Sequence, residues 1–126
     1  MKLWLNMSLV ITLALFATHE MDAITHAEWK LLPILSGMED ALARNVFVLL
    51  HIPLFAGAFW AVFLAPWRRR AAQILSALTV LHAIVHFALS DHALYTFTAP
   101  VETITVYGAA VSAAAYLFLS KKETSE

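Results

Sequence analysis

Apolar residues gather in four runs, 3–18, 46–65, 71–89 and 101–119, and the stretches between them carry Pro33, Gly37, Pro66 and Pro100. With its ends included, each run approaches the ~17 to 25 residues that a helix needs to cross a bilayer. None alternates with the period of two that a membrane barrel requires, so helices are the remaining way to satisfy the backbone in hydrocarbon. The pattern predicts an all-α, four-helix transmembrane bundle running up-down-up-down, a single domain over 1–126 with spans at 3–23, 44–65, 71–90 and 100–120. Trp4, Trp29, Trp67 and Tyr95 fall at or beyond the run ends, where an amphipathic ring suits the headgroup layer. The first run follows Lys2 as a signal peptide would, but Leu15-Phe16-Ala17 is a poor cleavage site, so a retained span is expected.

Composition agrees. The chain is 61% hydrophobic and 13% charged, with a mean hydropathy of +0.74. That is about half the charge of an average soluble domain. A net charge of −1 provides no basic field for nucleic acid. The chain has no cysteine, which removes disulfides, thiol nucleophiles and thiolate metal sites.

Charge also orients the chain. Lys2, Arg68, Arg69, Arg70, Lys121 and Lys122 lie on one side of the four spans, and only Lys30 and Arg44 on the other. The excess marks the cytoplasmic side, placing both termini there. The acids sort oppositely: Glu20, Asp22, Glu28, Glu39, Asp40, Asp91 and Glu102 fall outside, with Glu123 and Glu126 inside. Arg68-Arg69-Arg70 is then a topology determinant with some attraction to anionic lipid.

All six histidines fall in the outer half. His51 is about 8 Å inside the second span, and His86 and His82 are about 5 and 11 Å inside the third. His82 and His86 are spaced i, i+4; His19, Asp22 and His26 are spaced i, i+3, i+7 and share a face if the first helix continues. Imidazole and carboxylate suit zinc or iron, and bundles place such ligands on facing helices. Ionisable groups inside a membrane are costly enough to point to function. The expected metal ligands are therefore His19, Asp22, His51, His82 and His86, with Glu20 or Glu102 as general base. A plainer reading has the buried histidines and Glu102 joining helices by hydrogen bonds without metal, and His26 and His92 as interfacial residues.

Pro53 frees the carbonyl of Leu49 and should bend the second span near His51. Gly57 would admit a neighbouring helix, and Ala109, Ala110, Ser112, Ala113, Ala114 and Ala115 predict tight packing rather than a wide pore.

The segment His19-Glu20-Met21-Asp22-Ala23, followed by Glu28-Trp29 and later His51-Ile52-Pro53-Leu54, resembles a family of small bacterial four-helix integral membrane proteins of unknown function. The resemblance implies the fold and marks His19, Glu20, Asp22, Glu28 and Trp29 as motif positions; it implies no reaction.

Three functions stay open. One is a metal-dependent membrane protein, an enzyme on a lipid or small amphiphile, with three protein ligands and an open position. Another is a b-type haem protein ligated by His51 with His82 or His86. The third is a non-enzymatic subunit or proton- or ion-coupled accessory that works with a second copy or another membrane protein.

Overall fold

The structure, a computed structural model, describes residues 2–124; Glu126, which the charge count places with the basic ends, lies outside them. It contains α1 (Lys2–Thr25), α2 (Asp40–Phe59), α3 (Arg68–Ala88) and α4 (Pro100–Thr124), with no strand among the described residues. Two 3₁₀ turns, Glu28–Lys30 and Leu35–Gly37, connect α1 to α2, and a π turn, Trp60–Leu64, extends α2. All four helices are long and apolar enough to cross a membrane.

Cross-helix contacts define the directions. The Thr12 and Ser112 hydroxyls meet at 2.9 Å, Arg69 donates to the Ser120 carbonyl, and His51 of α2 meets Glu20 of α1. Low numbers on α1 face high numbers on α4, so each successive helix runs antiparallel to the last. α4 packs against both α1 and α3 through Thr105, Val106, Ala109, Ala113, Tyr116 and Ser120, all buried at spacings of one to four. Ala114 and Ala115, expected in tight contact, are exposed.

The bundle has two apolar clusters. Leu5, Val62, Ala71, Ala72 and Tyr116 form one near the Arg68-Arg69-Arg70 end. Ala23, Trp29, Leu35, Ala43, Phe47 and Phe97 form the other at the histidine end, built largely from connecting segments folded over the helix tips. Trp29 Nε1 donates to Asp40 across that cap at 3.0 Å. Between the clusters runs a seam of buried hydroxyls, Ser8, Thr12, Ser76, Thr79 and Thr105. Ser8, Thr12, Thr79 and Thr105 return their protons to carbonyls of their own helix, and so sit without penalty in an apolar surround.

The helix approach expected at Gly57 does not occur: a Cβ there would meet nothing within 4 Å. The close approach is at Gly108, where a Cβ would meet Leu15 Cδ1 at 3.2 Å. Gly108→Val should therefore push α4 from α1 and cost about 1–3 kcal/mol, read as a lower thermal unfolding midpoint in detergent, while Gly57→Ala does not lower it.

Candidate metal centre

Four polar side chains converge beneath the cap. One ligand atom each from His19, Glu28, His82 and His86 lies within 4.8 Å of all the others. His19 Nε2 is 2.9 Å from His82 Nε2 and 3.6 Å from Glu28 Oε2. His86 Nε2 is 3.9 Å from Glu28 Oε1. Four ligands placed tetrahedrally at zinc–nitrogen distances would be separated by about 3.3 Å. The observed separations bracket that value, so this buried His/Glu group could hold a metal ion with small side-chain adjustments.

Local structure accounts for each arrival. His82 and His86 are one turn apart on α3; His86 falls on the buried face with Thr79 and Ala83, and His82 at its half-buried edge. His86 Nδ1 meets the Tyr95 hydroxyl at 3.1 Å, which turns Nε2 towards Glu28. Burial, with Tyr107 and Glu28 nearby, pushes the Tyr95 phenol up to about 12, so it remains a neutral partner. His19, with no exposed surface, is packed edge-on against both α3 rings at centroid distances of 5.0 and 4.7 Å.

Glu28 arrives by a backbone reversal. After α1 ends at Thr25, Ala27 adopts φ 51°, ψ 45°, the left-handed region that a residue with a Cβ rarely occupies. The turn folds Glu28 back under the helix it has just left, into burial. Its Oε2 has no hydrogen-bond partner, and neither has His19 Nδ1. A buried carboxylate oxygen without a donor calls for a proton or a cation. Burial and then the nearby Glu20 push the Glu28 carboxyl up to about 8, with His51 opposing them.

His51 and Glu20 stand beside this group. The Phe47 carbonyl can only accept, so His51 Nδ1 donates to it at 2.7 Å. His51 Nε2 and Glu20 Oε2, 2.7 Å apart, must then share one proton, as a neutral pair or an ion pair. The other Glu20 oxygen lies 4.0 Å from His82 Nε2, so the pair abuts the four-residue group.

A second cluster, Asp22, His26 and Glu102, lies towards α4. The Phe97 ring packs against His19 on one side and His26 on the other, at 5.4 and 4.5 Å. The face expected to bring His19, Asp22 and His26 to one place is thus split by an aromatic wall. His26 Nε2 meets Glu102 Oε1 at 2.9 Å, while Glu102 Oε2 accepts from the Ala99 amide at the start of α4. Glu102 is therefore occupied as a helix cap and ion-pair partner. His92 is exposed and accepts from the Leu94 amide within its own turn.

The structure brings His19, His82 and His86 together, with His51 and Glu20 adjacent; Asp22 and Glu102 lie in the second cluster. Spacing missed the contributions of Glu28 and Tyr95. The Glu-Trp motif flagged Glu28 without a role, because it sits in a connection whose path depends on one left-handed residue. Tyr95 read as an interfacial ring.

Four helices long and apolar enough to cross a membrane, closing on a buried His/Glu group that could hold a metal ion, fit a multi-pass helical membrane protein. The chain belongs to a family of unknown function, DUF6713, whose model matches residues 5–123. Neither the curated proteins nor the solved structures hold a significant match.

Proposed function

We propose that this is a bacterial inner-membrane metalloprotein holding one divalent cation, zinc or iron, among His19, Glu28, His82 and His86, and acting on a lipid or small amphiphile. The observation that carries it is the convergence of three imidazoles and an unpartnered buried carboxylate within 4.8 Å. Such a ligand set, all nitrogen and oxygen with no thiolate, suits zinc and ferrous iron. The basic triplet at the opposite end of the bundle favours a non-cytoplasmic position for the group.

A bound cation would supply Lewis acidity towards a substrate oxygen. Beside it, Glu20 is the better general base: its carboxylate already shares a proton with His51 and faces His82. Glu102 is committed to Ala99 and His26. His51 holds Glu20 in orientation through its own anchor on the Phe47 carbonyl. Haem ligation by His51 through Nε2 would break its bond to Glu20; the cation reading keeps that bond. The same His51–Glu20 pair is what favours a proton-coupled accessory role as the second reading. α2, which buries least of its length, offers the surface on which a second copy or another membrane protein would pack.

The test is elemental analysis of protein purified gently from its membrane. One equivalent of zinc or iron is expected in the wild type and in His92→Ala, whose ring lies outside the group. A wild type that stays metal-free after incubation with both ions sinks the proposal.

A further inference from the structure

We propose that the cleft between α2 and α3 binds the hydrocarbon chain of a long-chain carboxylic acid drawn sideways from the bilayer, with its head group at His82. The proposal names the substrate class of the metal site and rests on that reading for the use made of the head group; seating of the chain stands on its own.

The cleft holds about 340 Å³, at the lower end of the range for small-molecule sites. Its walls include Phe16 from α1, Leu54, Phe55 and Phe59 from α2, and Leu78 and Val85 from α3. It exists because α2 buries residues only near its two ends, at Ala43 and Phe47 and at Val62, and beyond the His51–Glu20 contact no residue from Ile52 to Ala61 is buried. Pro53, in that middle stretch, removes one helical hydrogen bond there.

Two features select the occupant. The cleft is elongated: Leu75 to Val85 on α3 spans about 15 Å. Its polarity is also ordered. His82 is the only ionisable side chain in the lining, and the Thr79 hydroxyl is already bonded to the Leu75 carbonyl. His82 lies six residues from the end of α3 at Ala88, about 9 Å inside, while Leu75, Ala58 and Phe59 lie deeper. An amphiphile in that leaflet has the same order, head towards the surface and chain towards the midplane.

The opposite side of His82 completes the argument. Its ring is a wall shared with the metal group: Nε2 faces His19, and Phe16 packs edge-on at 5.4 Å. The His82 side chain keeps about a quarter of its surface open. That leaves part of the ring open to a head group. A carboxylate here can accept from an imidazole N–H and stand next to the cation position.

The test uses the full chain in phosphatidylcholine nanodiscs with palmitic acid carrying a photoactivatable diazirine midway along its chain. After illumination, labelling is mapped by mass spectrometry, and bound metal is measured on the same samples. We expect the partly buried cleft positions Phe16, Phe55 and Leu75 to be labelled at least fivefold more than lipid-facing Ile74 and Ile84, despite excess two-chain lipid. Unlabelled palmitic acid should remove that excess, and hexadecane should not. Ala58→Trp and, separately, Leu78→Trp should lower it at least fivefold with metal content unchanged. Equal labelling of cleft and lipid-facing positions, or no competition by palmitic acid, overturns the proposal. Equal competition by hexadecane overturns the placement of a head group at His82. Selective labelling of a protein that binds no metal defeats the metal reading alone; a metal-loaded protein without selective labelling defeats the cleft proposal alone.

Discussion

His19→Ala should lose bound metal, with affinity for zinc falling about 10² to 10³-fold in chelator competition. The magnitude follows from sharing a binding free energy of about 10–16 kcal/mol among four ligands, so that one accounts for about 2.5–4 kcal/mol. His19 should show the full effect because it is the ligand least able to be replaced. It is fully enclosed and sits between both α3 imidazoles. Removing it also leaves a ring-sized void, so lost metal could reflect a loosened bundle. Added imidazole separates the two cases. It should fill the void, restore a nitrogen ligand and recover metal binding in His19→Ala, which simple disorder would not permit. Wild-type zinc affinity in the variant would remove His19 from the site and leave Glu28 without its nearest imidazole.

The sequence and the structure agree most closely where the signal is periodic. Four apolar runs became four helices, because in hydrocarbon the backbone has almost no alternative. The i, i+4 spacing of His82 and His86 placed both on the inner side of α3, since helical geometry leaves little freedom over one turn. Legibility failed where the chain leaves the helices. No pattern in residues 26–39 announces that Ala27 will adopt a left-handed conformation, yet that residue decides whether Glu28 meets His19 or faces water. Similarly, His19, Asp22 and His26 were correctly spaced for one face. Asp22 and His26 do meet, at 3.4 Å, but His19 is parted from them because Phe97, from the far connection, inserts between the rings. Sequence spacing describes a helix; it cannot describe what a loop pushes against it. The pairing of Glu20 with His51 belongs to the same class, since antiparallel packing of α1 on α2 sets it rather than either segment alone.

Glu28→Gln should fold, bind zinc about 10² more weakly at pH 8.5, and lose a pH dependence that the wild type shows. In the metal-free protein burial holds this carboxyl up to about 8, so below that pH it carries a proton. A cation needs the carboxylate, so binding must expel the proton. Wild-type affinity should therefore gain a contribution from this group of about fivefold between pH 7 and 8, levelling off above it. The imidazoles are common to both proteins and cancel in the comparison, so the difference between the two slopes isolates Glu28. The same displacement fixes the sign of a stability effect without metal. The unfolded chain releases this proton in the ordinary carboxyl range and the folded chain only near 8, so stability of the metal-free wild type falls as pH rises between them. Glu28→Gln, neutral throughout, should lack that fall, and in the wild type saturating zinc should abolish it. Parallel affinity curves for the two proteins from pH 7 to 9 would show that Glu28 binds no cation, leaving its buried carboxyl a neutral hydrogen-bonding group of the cap.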